Sequence, residues 1–161
     1  MHMWDFFATV RHRHSVRKYQ ADMPVEREKL HAILEMACAA PSAGDLQAYH
    51  IEVVTAQSER DALRAAAGDQ AFISEAPVCL VFCTDAARSA QRYGARGETL
   101  YAVQDATIAA AYAQLAIVAD FAIAYSEDFA LIWLLSCRIG NDNTGRSLAF
   151  FFQTLNDDAI T

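Results

Sequence analysis

The sequence predicts an α+β fold, and three observations carry that prediction. Pro77 introduces VCLVFC (78–83), a continuous apolar run that reads as a central strand buried on both faces. HIEVVT (50–55) reads as a second strand. Segments with helical periodicity, four or more of them, are spaced irregularly around these two or more strands, without the regular strand–helix alternation of a parallel α/β sheet.

Each element has a local cause. Met3, Phe6, Phe7 and Val10 stand at i, i+3, i+4 and i+7, one apolar face of a short first helix. Residues 15–20 then read as extended, and Pro24 breaks the chain. Leu30, Ile33, Leu34, Ala37 and Cys38 repeat the helical period, and Glu26 and Glu28 at its start suit the macrodipole. That helix is expected to stop before Pro41, because the residue preceding proline avoids the helical region. PSAGD (41–45) is then a loop. A third helix is expected over 58–67, with Ser58 as its N-cap. In the 78–83 strand Cys79, Val81 and Cys83 share one face, and Val78, Leu80 and Phe82 the other. From Gly97 onward, ETLYAVQDATIAAAYAQLAIVA is a long helix, apolar nearly all round. Such a helix needs cover on every side, and in a chain this short a second copy supplies it, so a homodimer is expected.

Composition excludes several classes. The 161 residues are enough for one domain with a real core, and 54% hydrophobic with 20% charged residues mark a globular chain. A formal net charge of −7 argues against a nucleic-acid partner. Asp105, Gln114, Asp120, Glu127 and Asp128 interrupt the apolar stretch, which falls short of the ~20 residues of a spanning helix. No membrane partner is expected, and the expected compartment is the cytoplasm. The four cysteines, Cys38, Cys79, Cys83 and Cys137, form no C-x-x-C pair, and no secretory leader is read, so reduced thiols are expected. The five histidines show no ligand spacing with cysteine or carboxylate, and no metal is expected.

Against this acidic background RHSVRKY (13–19) concentrates Arg13, His14, Arg17 and Lys18. Arginine forks and a serine hydroxyl are what a phosphate wants. The same residues also suit an ordinary helix end, with cations set against its dipole. The second stretch, APSAGDLQAYH (40–50), has the small residues that let backbone approach a flat ligand, with Asp45 and Gln47 able to bond a heterocycle edge.

In this order and spacing, together with QAFISEAPVCLVFCTD (70–85) and RYGARGETLYAVQDATIAAAYAQLA (92–116), the two stretches resemble the nitroreductase family of FMN-dependent oxidoreductases. The resemblance runs from roughly residue 4 to residue 118. It implies a sandwich of an antiparallel or mixed sheet flanked by helices, an intertwined homodimer, and one domain over 1–161 in which 119–161 depart from the family pattern. It implies FMN, held by Arg13, His14, Ser15 and Arg17 of one copy. Pro41, Ser42, Ala43, Gly44, Asp45 and Gln47 of the other copy would line the ring, with Gln70 nearby. It implies hydride transfer from NAD(P)H through flavin to a flat acceptor such as a nitroaromatic or quinone, in ping-pong fashion, with no catalytic acid or base named. Asp45 replaces the family's usual Asn, Gln47-Ala48-Tyr49 replaces its QPW, and the stretch after Val118 lacks its Gly-rich segment and basic tail. Two expectations for that end stand side by side: an altered C-terminus, or a divergent one. The alternative function is a non-catalytic or degenerate flavin binder. A specialised dehalogenating or flavin-cleaving relative is a minor third reading.

Overall fold

The structure, a computed structural model, describes residues 5–19, 23–121 and 137–138. Helices α1 (Phe6–His12) and α2 (Arg27–Cys38) lead through a 3-10 turn (Ala43–Asp45) into strand β1 (Tyr49–Val54). Helices α3 (Gln57–Ala66) and α4 (Ala71–Glu75) precede β2 (Cys79–Thr84). Helix α5 (Ala86–Arg96) passes through a π turn (Gly97–Tyr101) into α6 (Ala102–Phe121), and β3 (Cys137–Arg138) closes the described order. The altered or divergent C-terminal end expected after Val118 lies almost wholly outside the described residues.

β2 is the central strand of a three-stranded mixed sheet. β1 pairs with it antiparallel, from Tyr49 opposite Thr84 to Val54 opposite Cys79, and β3 pairs with it in parallel. All six β2 residues are buried, as a continuous apolar run requires. Leu80 and Phe82 face a core built with Ile33 and Ala37 of α2 and Ala109, Ala110, Ala113 and Ile117 of α6. On the opposite face Val81 and Cys83 meet Val54 and Leu63. The α+β expectation and the division of this strand into two faces both match the structure.

Alanine explains how α6 reaches the sheet. Ala102, Ala106, Ala109, Ala110 and Ala113 are buried along its inner face, where small side chains allow close approach. By length and composition alone residues 86–119 could span a membrane, a longer apolar stretch than the charge interruptions suggest. Their inner face is instead core, and Gly94 interrupts the helix at φ 59°, ψ −148°. The outer face leaves Leu100, Ile108 and Tyr112 exposed. Phe6, Phe7 and Val10, the expected apolar face of α1, are exposed too, and Thr9 is the helix's buried residue.

Two local expectations are corrected. Helix α3 begins at Gln57 rather than Ser58, with Ala56 at the cap and no side-chain cap bond. The buried Arg60 draws this turn in, since its guanidinium donates to Thr55 O, to Pro77 O (3.2 Å) and to Gln57 Oε1 (2.5 Å). The second correction concerns the thiols. Cys38 and Cys79 are free, but Cys83 is disulfide-bonded. The parallel pairing of β3 sets the backbone of Cys137 opposite Cys83.

Burial pushes the Cys79 thiol up to about 11, and its S–H donates to Ile73 O at 3.3 Å. At pH 8 Cys38, which is exposed, is expected to alkylate with iodoacetamide in minutes, while Cys79 stays unmodified until the protein unfolds; peptide mass mapping reads both. The unfolded thiol titrates near 9 and the folded one near 11, so the stability that Cys79 contributes is complete below 9 and is lost as pH rises through that window.

Candidate functional site

The basic segment leaves α1 at its C-cap, Arg13, whose backbone N–H donates to Thr9 O at 3.1 Å. It ends on Tyr19, which packs against Ala67, Phe72, Ile73 and Cys79. The Tyr19 hydroxyl donates to Val16 O at 2.5 Å, and burial pushes its pKa well above the usual tyrosine range. The chain between is extended and largely exposed. Arg13, Arg17 and Lys18 form no ion pair among the described residues. Three cations close together without carboxylates are free to meet an external anion, and Ser15 adds an exposed hydroxyl. His14 is less suited. Its Nδ1 bonds the His12 carbonyl at 2.8 Å, and a carbonyl only accepts, so Nδ1 carries the proton. The neutral ring then offers Nε2 as an acceptor and becomes a second donor only as imidazolium.

Residues 41–47 form a tightly determined loop. Gly44, Asp45 and Gln47 all hold positive φ, at 59°, 57° and 47°. Asp and Gln are there at a cost, because a Cβ crowds the left-handed region. Several bonds hold the shape. Ser42 Oγ accepts from Gln47 N at 2.9 Å, and Gln47 Nε2 donates to Cys38 O at 3.1 Å. That bond engages the Gln47 amide nitrogen, which leaves its Oε1 as the open group. Asp45 is exposed, and its carboxylate has no hydrogen-bond partner among the described residues.

Three residues outside the predicted set also hold this loop. Asp105 of α6, 2% exposed, accepts from Ala43 N at 2.8 Å. Arg92 of α5 donates to Gly44 O at 2.9 Å, and Arg88 donates to Gln47 O at 3.2 Å. Gly44 is also required by space, since a Cβ there would meet Arg92 Nη1 at 2.7 Å and crowd the Tyr93 hydroxyl. Tyr49 stands just beyond the loop. Its hydroxyl donates to Ala37 O at 3.3 Å, and burial, then the charges of Cys38 and Asp105, raises its pKa.

Within one copy no hydrogen bond or ion pair among the described residues joins the two predicted halves, 13–17 and 41–47. The loop enters β1 at Tyr49, the end paired with Thr84, while Tyr19 packs at the end where Val54 pairs with Cys79. Those ends lie roughly 17 Å apart at ~3.4 Å per strand residue. Gln70 is exposed at the N-cap of α4, beyond the Val54 end, and makes no side-chain cap bond.

Residues 10–73 match the model of the nitroreductase family. The chain is 48% identical over 73 residues to an NADH dehydrogenase of Thermus thermophilus, covering 45% of this chain and 35% of that one. It is 37% identical over 82 residues to an NADPH-flavin oxidoreductase of Vibrio harveyi, covering 51% of this chain and 34% of that one. The solved NADPH:FMN oxidoreductase from Vibrio harveyi, complexed with NAD+, superposes with a TM-score of 0.63 at 31% identity, covering 71% of this chain and 51% of that one. The matched sequence thus spans about a third of these curated relatives, and the structural match about half of the solved one. The fold is that of the nitroreductases.

Proposed function

We propose that this chain is an FMN-dependent oxidoreductase of the nitroreductase family that takes reducing equivalents from NAD(P)H and passes them to a flat acceptor such as a nitroaromatic or quinone. One observation carries the reading. A cluster of cations, without ion pairs among the described residues, and a rigid left-handed loop are the two features that a phosphate and a flat ring would meet, and a second copy would bring them to one ligand. The relatives named above, an NADPH-flavin oxidoreductase and an NADPH:FMN oxidoreductase, support the choice of ligand.

The residues fit FMN by their chemistry. Arg13 and Arg17 supply fixed positive charge, and Ser15 a hydroxyl donor, for a phosphate dianion. Residues 42–47 of the second copy present backbone and the Gln47 Oε1 to a planar ring. FMN, when bound, supplies the hydride and electron chemistry, and the protein supplies orientation and field. Asp45 places a carboxylate beside that loop, where it disfavours added negative charge nearby. The exposed Leu100, Ile108 and Tyr112 of α6, with Phe6, Phe7 and Val10 of α1, are the apolar surface on which the second copy would pack as a homodimer. We place the enzyme in the cytoplasm, where NADH and NADPH are held.

Visible spectroscopy tests the reading. The purified protein, with FMN added, is expected to show a flavin band that bleaches under NADH or NADPH and recovers with menadione. A chain that gains no flavin band at micromolar FMN defeats the proposal, and a band without sustained NAD(P)H oxidation reduces it to flavin binding alone.

A further inference from the structure

Asp105 poses a problem that packing does not solve. It is 2% exposed on α6, among the alanines that bring that helix against the sheet. Oδ1 accepts from Ala43 N, but Oδ2 is buried with no hydrogen-bond partner among the described residues. A carboxylate that is half satisfied in such a place is expensive, and an apolar side chain would pack there more cheaply. Its bond to Ala43 reaches 62 residues back, into the loop with three positive-φ residues. Two more long-range bonds end on the same five residues. Arg92 holds the Gly44 carbonyl and Arg88 the Gln47 carbonyl, from successive turns of α5. Ala43 N, Gly44 O and Gln47 O are thus each fixed from outside the loop.

We propose that Asp105, Arg92 and Arg88 form a three-point clamp that holds residues 43–47 in the conformation presented to the flavin ring, with Asp105 as the principal positioning residue. The inference rests on the proposed FMN site and adds to it residues that do not touch the cofactor. Asp105 acts on the loop's N–H side and the two arginines on its carbonyl side. Together they impose the left-handed backbone that Asp45 and Gln47 would otherwise leave. The loop therefore arrives preformed, and binding is spared the cost of ordering it.

The test uses the full-length protein and three variants, Asp105→Ala, Asp105→Asn and Arg92→Ala. Fluorescence titration gives the FMN Kd, visible circular dichroism of bound FMN gives the ring environment, and amide exchange at 43–47 is measured with no flavin present. Asp105→Ala is expected to weaken FMN binding about tenfold, change the flavin dichroism and speed exchange at Ala43. Asp105→Asn keeps an acceptor oxygen and is expected to stay within about threefold of wild type. Arg92, exposed and dispensable for the core, is expected to cost about threefold to tenfold when replaced by Ala. Unchanged Kd and dichroism in both alanine variants overturn the clamp, as does equal loss in Asp105→Ala and Asp105→Asn. If wild type itself fails to bind FMN, the cofactor reading falls, and exchange still decides the clamp: unaltered protection in Asp105→Ala refutes it.

Discussion

Arg13→Ala is expected to weaken FMN binding by about tenfold to a hundredfold while the fold stays intact. The side chain sits just past the C-terminus of α1 and has no carboxylate partner among the described residues, so removing it strands no opposite charge in the protein. Its backbone bond to Thr9 O survives the substitution. What goes is a charge-assisted fork to phosphate, worth about 1.5–3 kcal/mol, which corresponds to about 10- to 150-fold in Kd. Arg13→Lys keeps the charge and loses the paired donors, so it should fall between. Arg11, exposed near the end of α1, serves as control, and its alanine variant should stay within about threefold, since an isolated surface charge contributes less than about 1 kcal/mol. Titration of flavin fluorescence at two salt concentrations reads all three. Arg13→Ala within twofold of wild type at low salt would remove the phosphate from this segment.

The sequence is most informative where the physics is local. A six-residue apolar run between breakers can be buried on both faces, and β2 is. The 3.6 period of α2 sends Ile33 and Ala37 into the core. The basic segment and the loop are legible because each is contiguous in the chain. Asp105 is visible only as an interruption in an apolar helix. Its purpose depends on Ala43, and no local pattern encodes a bond across 62 residues. Arg88 and Arg92 are hidden for the same reason, since their partners lie 41 and 48 residues away. Helix α5 itself escapes a periodicity reading because its alanines and arginines carry little apolar pattern, and because Gly94 breaks it ahead of α6. Solvent-facing Phe6, Phe7 and Val10 show the converse limit. Periodicity marks an apolar face but does not say which molecule covers it.

Gly97→Ala is expected to destabilise the protein by about 3 kcal/mol, at the upper end of ordinary overpacking. The reason is close approach, since Gly97 has ordinary helical angles, φ −62° and ψ −47°. A Cβ there would collide with the Ser89 carbonyl oxygen and lie 2.7 Å from its carbon. Backbone cannot swing aside as a side chain can, and Ser89 is itself fully buried. Either α5 lifts away from the π turn or the turn distorts. Thermal melting should fall by roughly 6–12 °C at ~2–4 °C per kcal/mol. Gly68→Ala separates this from backbone strain, because Gly68 holds φ +70° with nothing near its would-be Cβ, and it should cost only about 1–2 kcal/mol. The difference between the two matters for the site as well as for stability. Helix α5 carries Arg88 and Arg92, so a chain that relieves the Gly97 collision by moving α5 must also loosen Gly44 and Gln47. Gly97→Ala should therefore lose FMN affinity along with melting temperature, whereas Gly68→Ala, at a turn that touches neither arginine, should lose only the second.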